Sequence, residues 1–198
     1  TNTTEFFRET HHFEFLQKRT DLWLADNPRV LANGEIRIWS AGCSTGQEAV
    51  TLRMLMAELF GPEFRCILLA TDISGKVLRK AAKGIYTAPE IEGIPRNLLM
   101  KHFDRTEDGY RFDPLLHGDI RFRQFNLMEP YPFRKGFDLI FCRNVMIYFD
   151  APVQQQLVTK FHESLVPGGL FFIGHSESLI GKEHGFRHLG PSLYQKER

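Results

Sequence analysis

The chain has 198 residues, of which 42% are hydrophobic, so its length and composition fit one domain with a substantial core. A formal net charge of +1 argues against a nucleic-acid-binding surface as the main feature, and no apolar run is long enough to cross a membrane. The three cysteines follow no metal-ligand spacing, so we expect no metal site and a reducing, cytoplasmic environment.

Two helices are predicted before the first strand. Residues 4–19 place phenylalanine and leucine at helical spacing, which predicts an amphipathic helix that Thr3 or Thr4 caps. Residues 21–31 predict a second, shorter helix. Glu9 follows Arg8 on the first helix, and we interpret Glu9 as one member of a surface charge pair.

A loop of small residues joins a predicted strand at 35–40 to a predicted helix at 48–60. Gly42, Ser44 and Gly46 alternate in this loop, so the backbone can turn sharply and a ligand can approach the main chain. This is the layout of the nucleotide-binding turn in doubly wound α/β domains. The loop also matches the G-x-S-x-G elbow of serine hydrolases, with Ser44 as nucleophile and His175 as base. A plain structural turn is the third alternative.

The next strand ends at an acidic residue. Residues 65–71 form a continuous apolar run, as expected for a strand buried on both faces, and Asp72 follows directly. An acidic residue at this place binds ribose hydroxyls in doubly wound folds. The alternative is that Asp72, with Ser74, caps a helix predicted at 74–84, and the two roles are compatible.

The second half of the chain predicts further strands and helices. A helix at 95–103 precedes alternating segments at 110–112 and 119–125, which a turn at 113–118 separates. These segments predict a small antiparallel excursion that feeds back into the main sheet, with Arg121 and Arg123 on one solvated or partner-binding face. A buried strand at 136–142, a helix from Pro152 to 165, a strand at 170–174 and a hairpin at 186–196 complete the chain.

Polar residues follow three predicted parallel strands: Asp72, Asn126, and the pair Arg143 and Asn144. Ligands of open α/β sheets bind outside the carboxyl ends of the strands. Together with the small-residue loop, these residues favour a ligand that contains a nucleoside. No lysine-containing phosphate loop is present, which argues against a triphosphate. The closing hairpin suits a methyltransferase sheet better than a dinucleotide-binding one.

Five stretches resemble the CheR-type chemotaxis receptor methyltransferases: NTTEFFRE-x-HHF from residue 2, WSAGCSTG from 39, ATDI from 70, FCRNVMIYF from 141 and GHSE from 174. The similarity covers essentially the whole chain. It implies an α/β fold of the class I, Rossmann-like kind, with a doubly wound, mostly parallel seven-stranded sheet and a small antiparallel excursion. Residues 1–198 would form one catalytic domain with a β subdomain at about 104–125. The helical domain that usually precedes residue 2 is expected to be absent.

The resemblance implies S-adenosylmethionine as the cofactor, with S-adenosylhomocysteine as its product. Asp72 would bind the ribose, and Glu48 would still reach the cofactor although Gln47 replaces the first of the family's two acidic residues. The remaining expected cofactor contacts lie on the opening segment, the small-residue loop, the adenine side and the cleft floor: Asn2, Thr4, Arg8, Gly42, Ser44, Gly46, Asn126, Leu127, Arg143 and Asn144.

The family transfers a methyl group to glutamate side chains of chemoreceptors. A glutamate carboxylate is ionised near neutral pH, since its pKa is about 4.3, so no general base is needed. The task is then one of alignment, for which we expect Arg143 to orient the acceptor. Tyr148 is a candidate hydrogen-bond donor, with packing beneath the cleft as the alternative. The departure at Gln47 leaves open an inactive cofactor-binding scaffold.

The implied partners are the cytoplasmic helices of methyl-accepting chemoreceptors, without nucleic acid or membrane insertion, and we expect a monomer. Some family members grip a short receptor tail with the small antiparallel excursion. Here that excursion carries a compact acidic turn at 106–109, which offers little room and would repel an acidic tail. We therefore expect no dependence on a tail peptide, with Arg121 and Arg123 as possible contacts to the receptor helices.

Overall fold

A computed structural model describes residues 4–197 of the chain. In that range the α-helices are α1 (His11–Asp26), α2 (Arg29–Asn33), α3 (Gln47–Phe60), α4 (Gly75–Ala81), α5 (Arg96–His102), α6 (Pro114–Gly118) and α7 (Ala151–Ser164). The strands are β1 (Glu35–Ala41), β2 (Arg65–Asp72), β3 (Ile85–Tyr86), β4 (Phe103–Thr106), β5 (Gly109–Phe112), β6 (Ile120–Gln124), β7 (Phe137–Cys142), β8 (Leu165–Ile173), β9 (Phe186–Gly190) and β10 (Leu193–Lys196). No helix of residues 4–197 has the length and apolar character to cross a membrane.

Seven strands form the main sheet in the order β6-β2-β1-β7-β8-β10-β9. The pairs from β6 through β8 are parallel, whereas β10 runs antiparallel to both β8 and β9. The predicted doubly wound, mostly parallel seven-stranded sheet is therefore confirmed, as is the closing hairpin. The chain continues from β1 to β2 on one side and reaches β7 on the other, which creates a crevice at the carboxyl end of β1.

Hydrophobic side chains cover both faces of the sheet. Ile38 packs in a core on the side of α1 and α3, and its neighbour Trp39 packs in a second core with Phe161 of α7. Successive residues of a strand point to opposite faces, so one strand supplies both cores. All six residues of β7 are buried, as expected for a strand with both faces covered.

A second, three-stranded antiparallel sheet has the order β3-β5-β4. The strand β6, which the sequence suggested as part of the same excursion, instead pairs with β2 at the edge of the main sheet. The predicted turn at 113–118 is also different, because it contains the short helix α6. The side chain of Asp113 caps that helix by accepting hydrogen bonds from the N–H groups of Leu115 and Leu116, and Pro114 occupies its first turn.

The opening of the chain differs most from prediction. The first helix begins at His11, not at residue 4, and continues to Asp26. The second helix is the short α2, which begins after it at Arg29. Residues 4–10, here named the strap, are not helical, and Phe7 and Glu9 have positive φ values of 55° and 56°. Phe6 of the strap is buried edge-on against Tyr86 of the small sheet, whereas Phe13 of α1 stacks on Phe141 of the main sheet. The helical spacing of the phenylalanines therefore spans two separate elements.

Candidate functional site

A cleft with about 970 Å³ of empty space opens at the carboxyl edge of the parallel strands. Its walls come from the strap, the β1–α3 loop, and the segments that follow β2, β6 and β7. The residues lining it are Thr4, Arg8, Gly42, Cys43, Ser44, Glu48, Thr71, Asp72, Ile73, Phe125, Asn126, Leu127, Arg143, Asn144, Val145, Tyr148 and Phe149. The polar residues predicted at three strand ends thus meet in one place, and Asn2 lies outside the described residues.

The β1–α3 loop is fixed by its own backbone. The N–H groups of Gly42 and Cys43 both donate to the carbonyl of Thr71 at 2.8 Å, which ties the loop to the end of β2. Gly42 has a φ of 83°, and a Cβ there would lie 2.4 Å from Cγ2 of Val145. A glycine is required at this position because the backbone conformation and the close approach both exclude a side chain.

Asp72 has the helix-starting role that its sequence position suggested, and it lines the cleft where the sequence predicted a ribose contact. Its Oδ2 accepts a hydrogen bond from the N–H of Ser44 at 2.9 Å, and its Oδ1 accepts one from the N–H of Ser74 at 2.9 Å. The carboxylate therefore positions the start of α4 while it lines the cleft. Each carboxylate oxygen can accept more than one hydrogen bond, so both retain capacity toward ligand hydroxyls.

Arg143 is buried at the floor of the cleft, with 3% of its side chain exposed. Its Nε donates to Oε2 of Glu48 at 2.7 Å, and its Nη1 donates to the carbonyl of Arg8 at 2.6 Å. Its guanidinium also lies over the ring of Phe13, a favourable cation–π contact. Arg143 thus joins α3, the strap and α1, in addition to lining the site where we expected it to orient an acceptor.

Glu9 is not the surface residue that the sequence suggested, because only 9% of its side chain is exposed. Its Oε1 accepts hydrogen bonds from the N–H of His175 at 3.2 Å and from Nδ2 of Asn144 at 3.2 Å. Burial would raise the pKa of Glu9, but the hydrogen bonds from His175 and Asn144 and the charge of Arg143 together hold it below its ordinary value. Glu9 is therefore a buried carboxylate anion.

His12 lies beside this carboxylate on α1. Burial and the charge of Arg143 lower the pKa of His12 to about 3. The ring is therefore neutral near pH 7, and its Nδ1, 3.2 Å from Nη1 of Arg143, acts as a hydrogen-bond acceptor. A neutral histidine here adds no second positive charge next to Arg143.

Glu177 is a site residue that the sequence analysis did not single out, although it lies in the GHSE stretch. Its carboxylate accepts hydrogen bonds from the backbone N–H groups of Asn144, Val145, Ile147 and Gly174, at 2.6–3.3 Å. One buried side chain therefore fixes the backbone of the segment after β7 and joins it to the end of β8.

A lysine of α7 holds the segment that follows β6. Nζ of Lys160 donates to the carbonyls of Leu127, Met128 and Glu129 at 3.0–3.3 Å. Oδ1 of Asn126 accepts from the N–H of Met128 at 3.0 Å, which closes a local turn. Asn126 and Leu127, both predicted as site residues, consequently line the cleft in a defined backbone conformation.

Gly46 of the loop and Gln47, the first residue of α3, lie behind the cleft. Gly46 has a φ of 98° directly before α3, and a Cβ there would lie 2.9 Å from the hydroxyl of Tyr86. Gln47 is buried, and its Oε1 accepts a hydrogen bond from Oγ1 of Thr45 at 2.7 Å. Neither lines the cleft. The acidic-to-neutral departure at Gln47 therefore lies one layer behind the surface that faces a ligand, whereas Glu48 faces it.

Six lining residues were not predicted: Cys43, Thr71, Ile73, Phe125, Val145 and Phe149. Each is a sequence neighbour of a predicted site residue, and all but Phe125 lie in the stretches that resemble the family. The thiol of Cys43 is not a candidate nucleophile, because burial and the nearby carboxylates of Asp72 and Glu48 raise its pKa well above the ordinary value.

The serine hydrolase alternative has no support in the geometry. Ser44 has a φ of 49°, but its buried Oγ has no hydrogen-bond partner among residues 4–197, so no base activates it. The proposed base, His175, is exposed, and its Nδ1 lies 3.1 Å from Oε1 of Glu9.

The cleft fits S-adenosylmethionine. Asp72 offers a carboxylate to ribose hydroxyls, and the unpartnered Oγ of Ser44 is a polar atom that a ligand can satisfy. Apolar side chains such as Leu127 and Ile73 flank a surface suited to an adenine ring. Arg8 supplies a cation, and Glu48 an anion, for an amino-acid moiety.

Comparison with known proteins agrees with this fit. A family model described as CheR methyltransferase, SAM binding domain, matches residues 2–194. A chemotaxis protein methyltransferase of Borreliella burgdorferi is 41% identical over 201 residues, with 99% of this chain and 71% of the relative covered. That of Escherichia coli is 39% identical, with 98% and 67% covered, and a probable one of Rhizobium etli is 38% identical, with 98% and 75% covered. The chain therefore belongs to the CheR family and is a methyltransferase that depends on S-adenosylmethionine.

Proposed function

We propose that this methyltransferase esterifies glutamate side chains of bacterial chemoreceptors. The observation that supports the proposal is the cleft itself, which the carboxylate of Asp72, the Arg143–Glu48 ion pair and the exposed Tyr148 line together. Its relatives are named chemotaxis protein methyltransferases, which supports chemoreceptors as the partners.

The proposed cofactor contacts follow the cleft from one wall to the other. Asp72 binds the ribose hydroxyls, and Asn126 with Leu127 borders the adenine. Thr4 and Arg8 of the strap bind the amino-acid moiety, with Arg8 on its carboxylate. The small-residue loop adds backbone contacts at Gly42 and Ser44. Gly46, which lies behind the cleft, acts by setting the loop conformation, and Glu48 with Asn144 completes the floor.

The bound cofactor supplies a methyl group on a positively charged sulfur. The acceptor carboxylate is already ionised, since its reference pKa is about 4.3, and no residue of the cleft needs to remove a proton. The chain's residues hold the acceptor oxygen in line with the methyl carbon and the sulfur. They also keep water away from the carboxylate and the sulfonium as these react. The covered floor and the strap provide that exclusion.

Two residues are proposed to act on the acceptor. Arg143 provides a fixed positive charge at the floor, because Glu48 and the Arg8 carbonyl hold its guanidinium in one plane. Tyr148 lies in a short 3₁₀ helix at the cleft mouth with 62% of its residue surface exposed. Its hydroxyl can reach an incoming side chain, so we assign it the role of a hydrogen-bond donor to the acceptor.

The chain is further proposed to act as one catalytic domain, as a monomer, in the cytoplasm. The three cysteines are free and buried within the described residues, as suits a reducing compartment. Light scattering at micromolar concentration measures the oligomeric state, and a dimer mass would contradict the monomer.

The test is methyl transfer from isotopically labelled S-adenosylmethionine to a helical cytoplasmic fragment of a chemoreceptor. A glutamyl methyl ester releases methanol in mild base, whereas a methylated amine does not. We expect base-labile label that disappears when the acceptor glutamates are replaced by alanine, and a loss of turnover in Tyr148→Phe with unchanged cofactor affinity. Labelled cofactor bound without base-labile product would refute the glutamate assignment.

A further inference from the structure

We propose that Glu9 is a positioning residue that latches the strap over the cofactor cleft. The strap, residues 4–10, supplies two lining residues, Thr4 and Arg8. These side chains can contact a ligand only while the strap lies in place. The question is therefore what holds an irregular, non-helical segment there.

Other contacts hold the first half of the strap. Phe6 is buried, with its ring edge-on to Tyr86 at 4.9 Å and to Phe103 at 5.9 Å between centroids. The N–H of Phe7 donates to Oγ1 of Thr51 at a long 3.4 Å. These contacts secure the part of the strap before Arg8.

The second half of the strap is secured by Glu9. Its Oε1 accepts from the N–H of His175 at 3.2 Å and from Nδ2 of Asn144 at 3.2 Å, and it lies 3.1 Å from Nδ1 of His175. Its Oε2 lies 3.6 Å from Nη1 of Arg143. One carboxylate thus connects the strap to the segments that follow both β7 and β8.

The backbone of the strap needs such a latch. Phe7 and Glu9 have positive φ values of 55° and 56°, a conformation that costs free energy for side chains larger than glycine. Two such residues within three positions persist only when surrounding contacts over-determine them. Arg8 lies between them, so the strained backbone and the latch together fix where its side chain enters the cleft.

The sequence spacing supports the same role. Glu9 directly follows Arg8, whose carbonyl accepts from Nη1 of Arg143 at 2.6 Å. Glu9 itself does not line the cleft. Its influence on a ligand therefore passes through the position of Arg8, and the inference rests on the proposed role of Arg8 in binding the cofactor.

The first test needs no ligand. Chymotrypsin digestion under native conditions measures the rate of cleavage after Phe6, divided by the rate for an unfolded peptide of the same sequence. The rate of cleavage after the fully buried Phe141 is the measure of global unfolding. We expect Glu9→Ala to raise the first rate about tenfold with little change in the second. Glu35→Ala is the matched control, because Glu35 pairs with Arg37 and Arg65 at the start of β1 and not with the strap. Equal rates after Phe6 in Glu9→Ala and wild type overturn the latch.

The second test is a double-mutant cycle for S-adenosylhomocysteine affinity by calorimetry. We expect Glu9→Ala and Arg8→Ala each to weaken binding about tenfold, and the double variant to bind within about twofold of Arg8→Ala. An additive loss of about a hundredfold would mean that Glu9 acts independently of Arg8, and would overturn the inference. If Arg8→Ala binds as wild type does, the site assignment of Arg8 fails, and the cleavage rates alone decide whether the latch exists.

Discussion

Nε of Arg143 and Oε2 of Glu48 are 2.7 Å apart and join the residue after β7 to the first turn of α3. Both side chains are largely buried, at 3% and 11% exposure. The pair spans the crevice between β1 and β7, the place where the chain reverses direction across the sheet. The floor of the cleft is therefore an ion pair built into the core.

Arg143→Ala should unfold more easily than the wild type. Removing the Arg143 cation leaves the carboxylates of Glu48 and Glu9 buried without their positively charged partner. Removing one partner of a buried ion pair costs about 3–5 kcal/mol of folding free energy. Urea unfolding measures the loss, and Arg143→Lys should recover only part of it because lysine lacks the planar fork. If the unfolding midpoint of Arg143→Ala equals that of the wild type, Arg143 serves the acceptor alone, as the sequence had suggested.

Asp72→Asn should weaken the binding of S-adenosylhomocysteine by at least about tenfold. The amide removes hydrogen bonds to a charged group, each worth roughly 1.5–3 kcal/mol. Asp150→Asn is the matched control, since Asp150 also accepts a hydrogen bond from a backbone N–H at the start of a helix but does not line the cleft. Calorimetry that gives both variants the wild-type affinity would remove Asp72 from the ribose site.

His12→Gln should flatten the loss of stability in acid. The pKa of His12 is about 3 in the folded chain, against an ordinary value near 6.5. The unfolded chain therefore binds a proton that the folded chain refuses, and stability is lost as the pH falls from about 6.5 toward 3. The expected slope is about 1.4 kcal/mol per pH unit. If the free energy of unfolding falls by the same amount per pH unit in His12→Gln and in the wild type, the prediction is wrong.

Peptides with the acidic sequence of a receptor C-terminal tail should not bind at micromolar concentration. The edge strands of the small sheet are β3 and β4, and β4 joins β5 through the exposed residues Glu107 and Asp108. An added strand would meet these two charges. Replacing both with lysine should permit weak binding if repulsion is the cause. Micromolar binding to the wild type by calorimetry would show instead that the turn admits a tail.

The sequence predicted the sheet and the strand-end residues well, because both depend on local patterns. A continuous apolar run followed by Asp72 indicates a buried strand and its polar end, and the carboxyl ends of parallel strands meet at one edge. The same approach was wrong for the strap, which it predicted to be helical. Phe6 and Phe13 share helical spacing, yet Phe6 packs with Tyr86 of the small sheet, and Phe13 packs on Phe141 of the main one.

The buried acids could not be predicted from local pattern. Glu9 follows an arginine in a polar stretch, which is typical of a solvated charge pair. Its partners, Asn144 and His175, lie more than 130 residues away, and only the fold brings them together. Glu177 bonds to backbone N–H groups, which every residue except proline carries and which leave no mark in the sequence.

Glu177 fixes the segment after β7 through its backbone and not through its side chains. Because Glu177 bonds to the main-chain N–H groups of Val145 and Ile147, these bonds do not depend on which side chains the two residues carry. Ile147 and Tyr148 stand exposed on that segment at the mouth of the cleft. The exposed side chain of Ile147 can therefore be exchanged, to suit a different acceptor surface, without moving the floor of the cleft.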